Sequence, residues 1–427
     1  MRTLKEDQAG AFIASLKKRA STSVYEDEIQ KSVRKIVADV QKHGDSAVKK
    51  YTEKFDSLKL IRLSVSAKEI EAAARKTDDK FLKALKLSAA RIRAFHERQK
   101  EKSWKFAKDG ITLGQIIRPL ERVGVYVPGG KAAYPSTVLM NVIPAQVAGV
   151  KEIALCVPTP DGRVNPYVAA AIKLLGVREV YRIGGAQAVA ALAYGTRTIN
   201  KVDKIVGPGN IFVAVAKKLV FGEAGIDMIA GPSEILIIAD RTAEPSFIAA
   251  DMLGQAEHDE MASSILITDS MIMAQAVEKE LAVQLKKLKR KDIARKSLNK
   301  YGAIIITKNL DRAAEVANQI APEHLEIMTR TPSKLLPMIR NAGAIFLGKW
   351  TPEPMGDYSA GPNHTLPTGG TARFSSPLGV YDFIKRTSLL DFSKAGFMGL
   401  ADTVETFADV EGLEAHGNTV RIRRKNN

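Results

Sequence analysis

Four short segments hold the residues best suited to chemistry: "LGQAEHDE" (253–260), "APEHLE" (321–326), "MGDYSAGPNHTLP" (355–367) and "EAHGN" (414–418). The chain has six histidines, and one falls in each segment: His258, His324, His364 and His416. Gln255 and His258 are three residues apart, so a helix over 245–257 turns both toward one ligand. An amide oxygen and an imidazole nitrogen can begin a zinc site, which needs about four ligands. Taken alone, the segment also suits an ordinary polar helix end. Glu323 and His324 join a carboxylate to an imidazole just ahead of an apolar run, where adjacent side chains diverge. Each can then serve a separate proton transfer around one substrate, with a plain turn cap as the competing reading. Asp357 and His364 lie in Gly- and Pro-rich chain that can wrap a ligand or simply turn. His43 and His96 sit in polar helical patterns, where exposure is the simpler role.

Elements must position these groups. Residues 1–105 carry helix-period patterns such as "DEIQKSVRKIVADVQKHG", closed by Gly44. Near Arg118 the texture changes to short apolar runs alternating with Ala-rich helical patterns. The runs "RVGVYVP" (122–128), "EIALCVP" (152–158), "EVYRIGG" (179–185), "DKIVGPG" (203–209) and "EILIIAD" (234–240) form a first series. "SSILITD" (263–269), "GAIIIT" (302–307), "LEIMT" (325–329) and "GAIFLG" (343–348) form a second. Strand and helix in alternation predict two α/β domains with parallel-rich sheets, which place ligands at the carboxyl ends of their strands. The stretch after 349 lacks periodicity and reads as a long functional loop. "GPGNIF" (207–212) lacks the third glycine of a dinucleotide fingerprint, so a conventional one is not supported.

Composition narrows the function classes. With 427 residues, more than one domain is expected. No apolar run reaches the roughly 18 residues of a membrane span, and the start lacks a secretory signal, which predicts a cytoplasmic protein. The lone Cys156 lies in a buried apolar run, reading as core and leaving no disulfide within the chain. The net charge of +17 is spread over several helix faces, as in "LKKLKRKDIARKSLNK" (285–300), with few aromatics between. That describes a solvated surface, not a nucleic-acid interface.

Taken together, "GVYVPGGKAAYPSTVLMN", "IGGAQAVAALA", "VDKIVGPGN", "AGPSEILIIAD", "QAEHD", "APEHLE", "GDYSAGPNHTLPT" and "EGLEAHGNTV" resemble, in order, the L-histidinol dehydrogenase family. The resemblance implies two Rossmann-like domains, an N-terminal helical segment, a C-terminal helical tail and an intertwined homodimer with shared active sites. Its implied borders are a segment at 1–19, a catalytic α/β domain at 20–125 and 236–378, an NAD-binding domain at 126–235, and a tail at 379–427 packing on the partner subunit. It implies one Zn²⁺ per subunit on Gln255, His258, Asp357 and His416, the last from the partner. Glu323 and His324 would act as acid and base, Ser233, His364 and Glu411 would join the zinc ligands around L-histidinol, and Tyr126, Gln187 and Asn210 would bind NAD⁺. The implied reaction carries histidinol through histidinal to histidine with two NAD⁺. A superfamily relative acting on another polar alcohol, such as a sulfonated diol, is the alternative, and "EGLEAHGN" and "APEHLE" follow the histidinol pattern.

Overall fold

The computed structural model describes residues 1–21, 26–129 and 133–425. Residues 130–132 of the "VPGGKAAYPS" turn and the last two of the tail lie outside the described residues. The chain divides into two compact units, Met1–Gln99 with Glu121–Phe383, and Lys100–Leu120 with Ile384–Asn427.

The larger unit is built on two parallel sheets. The first has six strands in the order Arg2–Lys5, Ala303–Ile306, Ser263–Thr268, Glu234–Ala239, His324–Met328 and Ala344–Leu347. The N-terminal helical segment thus opens with a strand before its helix Ala9–Ser21. Central strands such as "EILIIA" are apolar on both sides because both faces are covered. Leu236, Ile238 and Ile265 pack with Phe12, Ile13, Val316 and Ile320. The alternate residues Ile235, Ile237 and Leu266 pack with Met252, Leu253, Val277 and Leu298.

The second sheet runs Glu179–Tyr181, Glu152–Cys156, Arg122–Tyr126, Lys204–Val206, Gly225–Ile226, again all parallel. The chain works outward from Arg122–Tyr126 in one direction and then returns to its other side at Lys204–Val206. The strand order therefore reverses between those two neighbours, and a crevice opens there at their carboxyl ends. Helices Glu26–His43 and Asp45–Asp56 share a core with this sheet through Val33, Val40 and Tyr51 against Ala154, Ile183 and Leu192. The borders expected at 125/126 and 235/236 coincide with strands Arg122–Tyr126 and Glu234–Ala239. Cys156 is fully buried in its strand, as expected, and burial pushes its thiol up.

His96 departs from expectation. It is completely buried, its Nδ1 2.8 Å from the Ile92 carbonyl, and desolvation lowers its pKa. The polar neighbours that suggested exposure lie on the other faces of helix Asp79–Glu97. No helix of the described residues is long and apolar enough to cross a membrane.

The smaller unit is an antiparallel sheet, Ile384–Phe392 beside Ile111–Pro119 beside Trp104–Lys108, followed by helices Lys394–Val410 and Glu414–Lys425. Leu400, Val404 and Phe407 recur at helical spacing along the first of these helices, and all three are exposed.

Candidate active site

The catalytic candidates hang on one backbone residue. Strand His324–Met328 pairs in parallel with Glu234–Ala239, which brings the start of one against the start of the other. The Glu323 carboxylate accepts from the Glu234 N–H at 2.9 Å, and His324 Nδ1 lies 2.9 Å from the Glu234 carbonyl. A carbonyl oxygen can only accept, so Nδ1 carries the proton and Nε2 is the open, basic nitrogen. Nε2 is buried with no hydrogen-bond partner. It faces the carboxylates of Glu353 at 3.9 Å and Asp357 at 3.8 Å.

Glu234 is itself pinned. Its buried carboxylate pairs with Arg19 and also accepts from the Gly369 N–H at 3.3 Å, while Arg19 donates to the Met261 carbonyl at 2.6 Å. Neither Arg19 nor Glu234 was singled out from sequence, because the pair spans 215 positions of the chain.

Burial and crowding set the protonation states. Desolvation lowers the pKa of His324, so the imidazole is neutral and ready to accept. Desolvation, with Glu234, Glu353 and Asp357 nearby, raises Glu323 well above the usual carboxylate range. Glu353 and Asp357 are both pushed up to about 7, again mainly by desolvation. Behind them Glu326 accepts from the Glu353 N–H at 2.8 Å. Burial, with the Asp251 carboxyl beside it, raises Glu326 strongly.

Among the described residues, one group of side chains could hold a metal ion: ligand atoms of His324, Glu353 and Asp357 all lie within 4.8 Å of one another. Asp357 sits in a five-residue π-helical turn, Gly356–Ala360, that follows the short helix Glu353–Met355. The stretch expected as loop is therefore partly wound, and π turns of this kind often carry functional side chains. Glu353 was missed in the sequence, although its spacing of four from Asp357 is a helical one. Gln255 lies in the last turn of helix Pro245–Ala256, fully buried, with neither amide atom hydrogen-bonded. An uncompensated buried amide is costly, and a ligand that completes it removes the cost. The helix stops at Ala256, so His258 reaches its place through a turn in which its N–H donates to the Gln255 carbonyl at 3.2 Å. Desolvation and the neighbouring His324 lower the His258 pKa.

His364 Nδ1 lies 3.1 Å from the Asp357 carbonyl, so its Nε2 is also left open, and desolvation takes its pKa down to about 4. Ser233 immediately precedes strand Glu234–Ala239. The larger unit thus brings His258, Glu323, His324, Asp357 and His364 into one electrostatic neighbourhood, with Gln255 one turn before His258. Glu411 and His416 belong to the smaller unit, Glu411 capping helix Lys394–Val410 and His416 exposed on helix Glu414–Lys425.

The expected cofactor residues lie on the five-stranded sheet and the helices that follow its strands: Gln187 is in helix Gly185–Tyr194. Tyr126 ends its strand, and its hydroxyl accepts from the Gly185 N–H at 3.2 Å. Gln187 is buried with its Oε1 unpartnered. Asn210 caps helix Ile211–Val220, its Oδ1 accepting from the Phe212 and Val213 N–H groups at 3.1 and 3.2 Å. Tyr126 and the 207–210 turn stand at the two strands where the sheet order reverses. A cavity of about 580 Å³ opens at the carboxyl ends of this sheet, lined among others by Pro128, Gly129, Pro158 and Arg163. Tyr126, Gln187 and Asn210 do not line it.

Comparison with known proteins agrees with the motif order. A family model described as histidinol dehydrogenase matches residues 18–424. Histidinol dehydrogenase from Geobacter sulfurreducens is 56% identical over 402 residues, covering 93% of this chain and 94% of its own. That from Bacillus subtilis is 51% identical, covering 98% of each. The crystal structure of histidinol dehydrogenase from Elizabethkingia anophelis superposes with a TM-score of 0.90 at 39% identity, covering 93% of this chain and 92% of the other. An acetylating aldehyde dehydrogenase from Geobacillus thermoglucosidasius shares the general fold at a TM-score of 0.51 and 13% identity.

Proposed function

The chain belongs to the histidinol dehydrogenase family, and from that premise we propose how its residues divide the work. The activity is NAD-dependent oxidation of histidinol. Turning a primary alcohol into a carboxylate removes four electrons, so two hydrides leave the same carbon in succession and a water oxygen enters between them.

His324 is the base of both oxidations. The observation that carries this role is its tautomer: Nδ1 is tied to the Glu234 carbonyl, and the unpartnered Nε2 faces the Glu353 and Asp357 carboxyls. At Nε2 it accepts the hydroxyl proton as hydride departs for the nicotinamide. Glu323 then takes a proton from the water that adds to the aldehyde while the protonated His324 returns its proton to the carbonyl oxygen, and the neutral His324 accepts again from the resulting gem-diol. Two adjacent protic groups anchored on one residue keep these transfers in register.

Zinc would be held by Gln255, His258, Asp357 and the partner's His416, with Glu353 close to the same point. When bound, the ion orients the amino alcohol and offsets the negative charge of the pocket. The unpartnered Gln255 amide and the crowded carboxyls support a cation here. His364 and Ser233 complete the substrate pocket with the partner's Glu411, and Tyr126, Gln187 and Asn210 hold NAD⁺. The exposed stripe of Leu400, Val404 and Phe407 supports an intertwined homodimer, since a second subunit would cover it.

Protons and zinc compete for the carboxyls that stand near 7 without the ion, Asp357 and Glu353. Zinc affinity, measured by competition with a chelator of known affinity, is expected to fall at least about tenfold between pH about 8 and about 6. Affinity independent of pH over that range would remove these carboxyls from the metal site.

A further inference from the structure

The five-stranded sheet contains an ion pair that none of the chemistry above uses. Lys217 and Asp227 form a salt bridge with side chains only 2% and 1% exposed. Sealing two charges in an interior costs several kcal/mol per ion unless hydrogen bonds complete them. Here the completing partners are in the turn after strand Lys204–Val206. Lys217 Nζ donates to the Gly207 carbonyl at 3.1 Å, and Asp227 accepts from the Gly207 N–H at 2.8 Å. Asp227 also accepts from the Met228 N–H at 2.7 Å. One residue is therefore gripped through both its backbone polar groups.

Packing confines the same turn. Gly207 stands at φ +112, and a Cβ there would come 2.1 Å from the Tyr126 carbonyl oxygen. A Cβ on Gly209 would come 2.4 Å from Val213. The turn then delivers Asn210 to the start of helix Ile211–Val220, the helix that carries Lys217. Lys217 reaches back along its own helix to hold the turn from which that helix springs.

We propose that Lys217 and Asp227 are positioning residues for the nicotinamide cofactor, the buried pair locking the Gly207–Asn210 turn against Tyr126 at the switch point of the sheet. This rests on the assignment of Tyr126 and Asn210 to the cofactor. A turn held rigid in the free enzyme has little freedom left to lose on binding, so the pair acts on NAD affinity and leaves proton transfer at His324 untouched.

The test removes both charges together, so that neither is stranded in the core. In the full-length, zinc-loaded enzyme, K217M/D227N is expected to raise KM for NAD⁺ about tenfold, with kcat at saturating NAD⁺ within about twofold. KM for histidinol and zinc content stay at the parent values. A purely structural pair would instead lower Tm and leave KM for NAD⁺ unchanged, and that result overturns the proposal. If the double variant does not accumulate as folded enzyme, Asp227→Asn carries the test, because it keeps an acceptor for Gly207 while loosening Lys217. A several-fold rise in KM for NAD⁺ supports the proposal, and an unchanged one overturns it. Asn210→Ala, assayed alongside, separates the two failures. If Asn210→Ala leaves KM for NAD⁺ unchanged, the cofactor assignment falls; if it raises KM while the pair variant does not, only the role of Lys217 and Asp227 falls.

Discussion

Replacing His258 by asparagine is expected to remove bound zinc and to lower kcat/KM for histidinol about a thousandfold or more. His258 lies beyond the end of helix Pro245–Ala256, and asparagine keeps a polar side chain there, at a cost to stability of about 0.5–1 kcal/mol. A loss of activity would therefore report on the site and not on folding. Its partner Gln255 keeps both amide atoms unpartnered in a fully buried side chain, so the two positions stand or fall together as ligands. Metal analysis of the purified variant, set beside its thermal unfolding, checks the claim. Full turnover in variant protein free of metal would show that zinc binds elsewhere or is not needed.

Glu323→Gln is expected to split the two oxidations. The amide oxygen still accepts from the Glu234 N–H, so the strand and the His324 tautomer survive, while the base for water is lost. Oxidation of histidinal should slow by about a hundredfold to ten-thousandfold, the usual worth of a positioned proton acceptor, with the first hydride transfer far less affected. Rapid-mixing measurement of NADH, with a carbonyl reagent to capture aldehyde, reads the two steps apart. Equal slowing of both steps would give Glu323 a different role. The pH profiles follow from the same groups. His324, lowered by desolvation, is neutral except in acid, so the first step weakens only as pH falls below the ordinary histidine range. Glu323, raised by burial and neighbouring carboxyls, gains its working ionised form as pH rises, so in the parent enzyme the second step quickens toward alkaline pH.

Much of this was legible before the fold. The apolar runs became the strands of two parallel sheets because unbroken Val and Ile suit strands buried on both faces. His258, Glu323, His324, Asp357 and His364 lie together because they sit at a strand end, just past a helix end and in the long stretch between elements, where such folds place ligands. What stayed hidden depends on contacts distant in sequence. Nothing near Arg19 announces that it neutralises Glu234, and nothing near Lys217 announces Asp227, since long-range ion pairs leave no local pattern. Glu353 was obscured by the prolines on either side of it, which made a short helix look like loop. His96 misled in the opposite sense, because three polar faces of a helix say little about the fourth.

The central claim is that one site, with His324 serving twice and Glu323 once, carries the alcohol all the way to the acid. The most direct test is the amount of NADH formed per histidinol consumed by the zinc-loaded enzyme at completion. Four electrons leave the carbinol carbon, so the expected ratio is two, with no free aldehyde captured. A ratio of one, with histidinal released, would contradict the account.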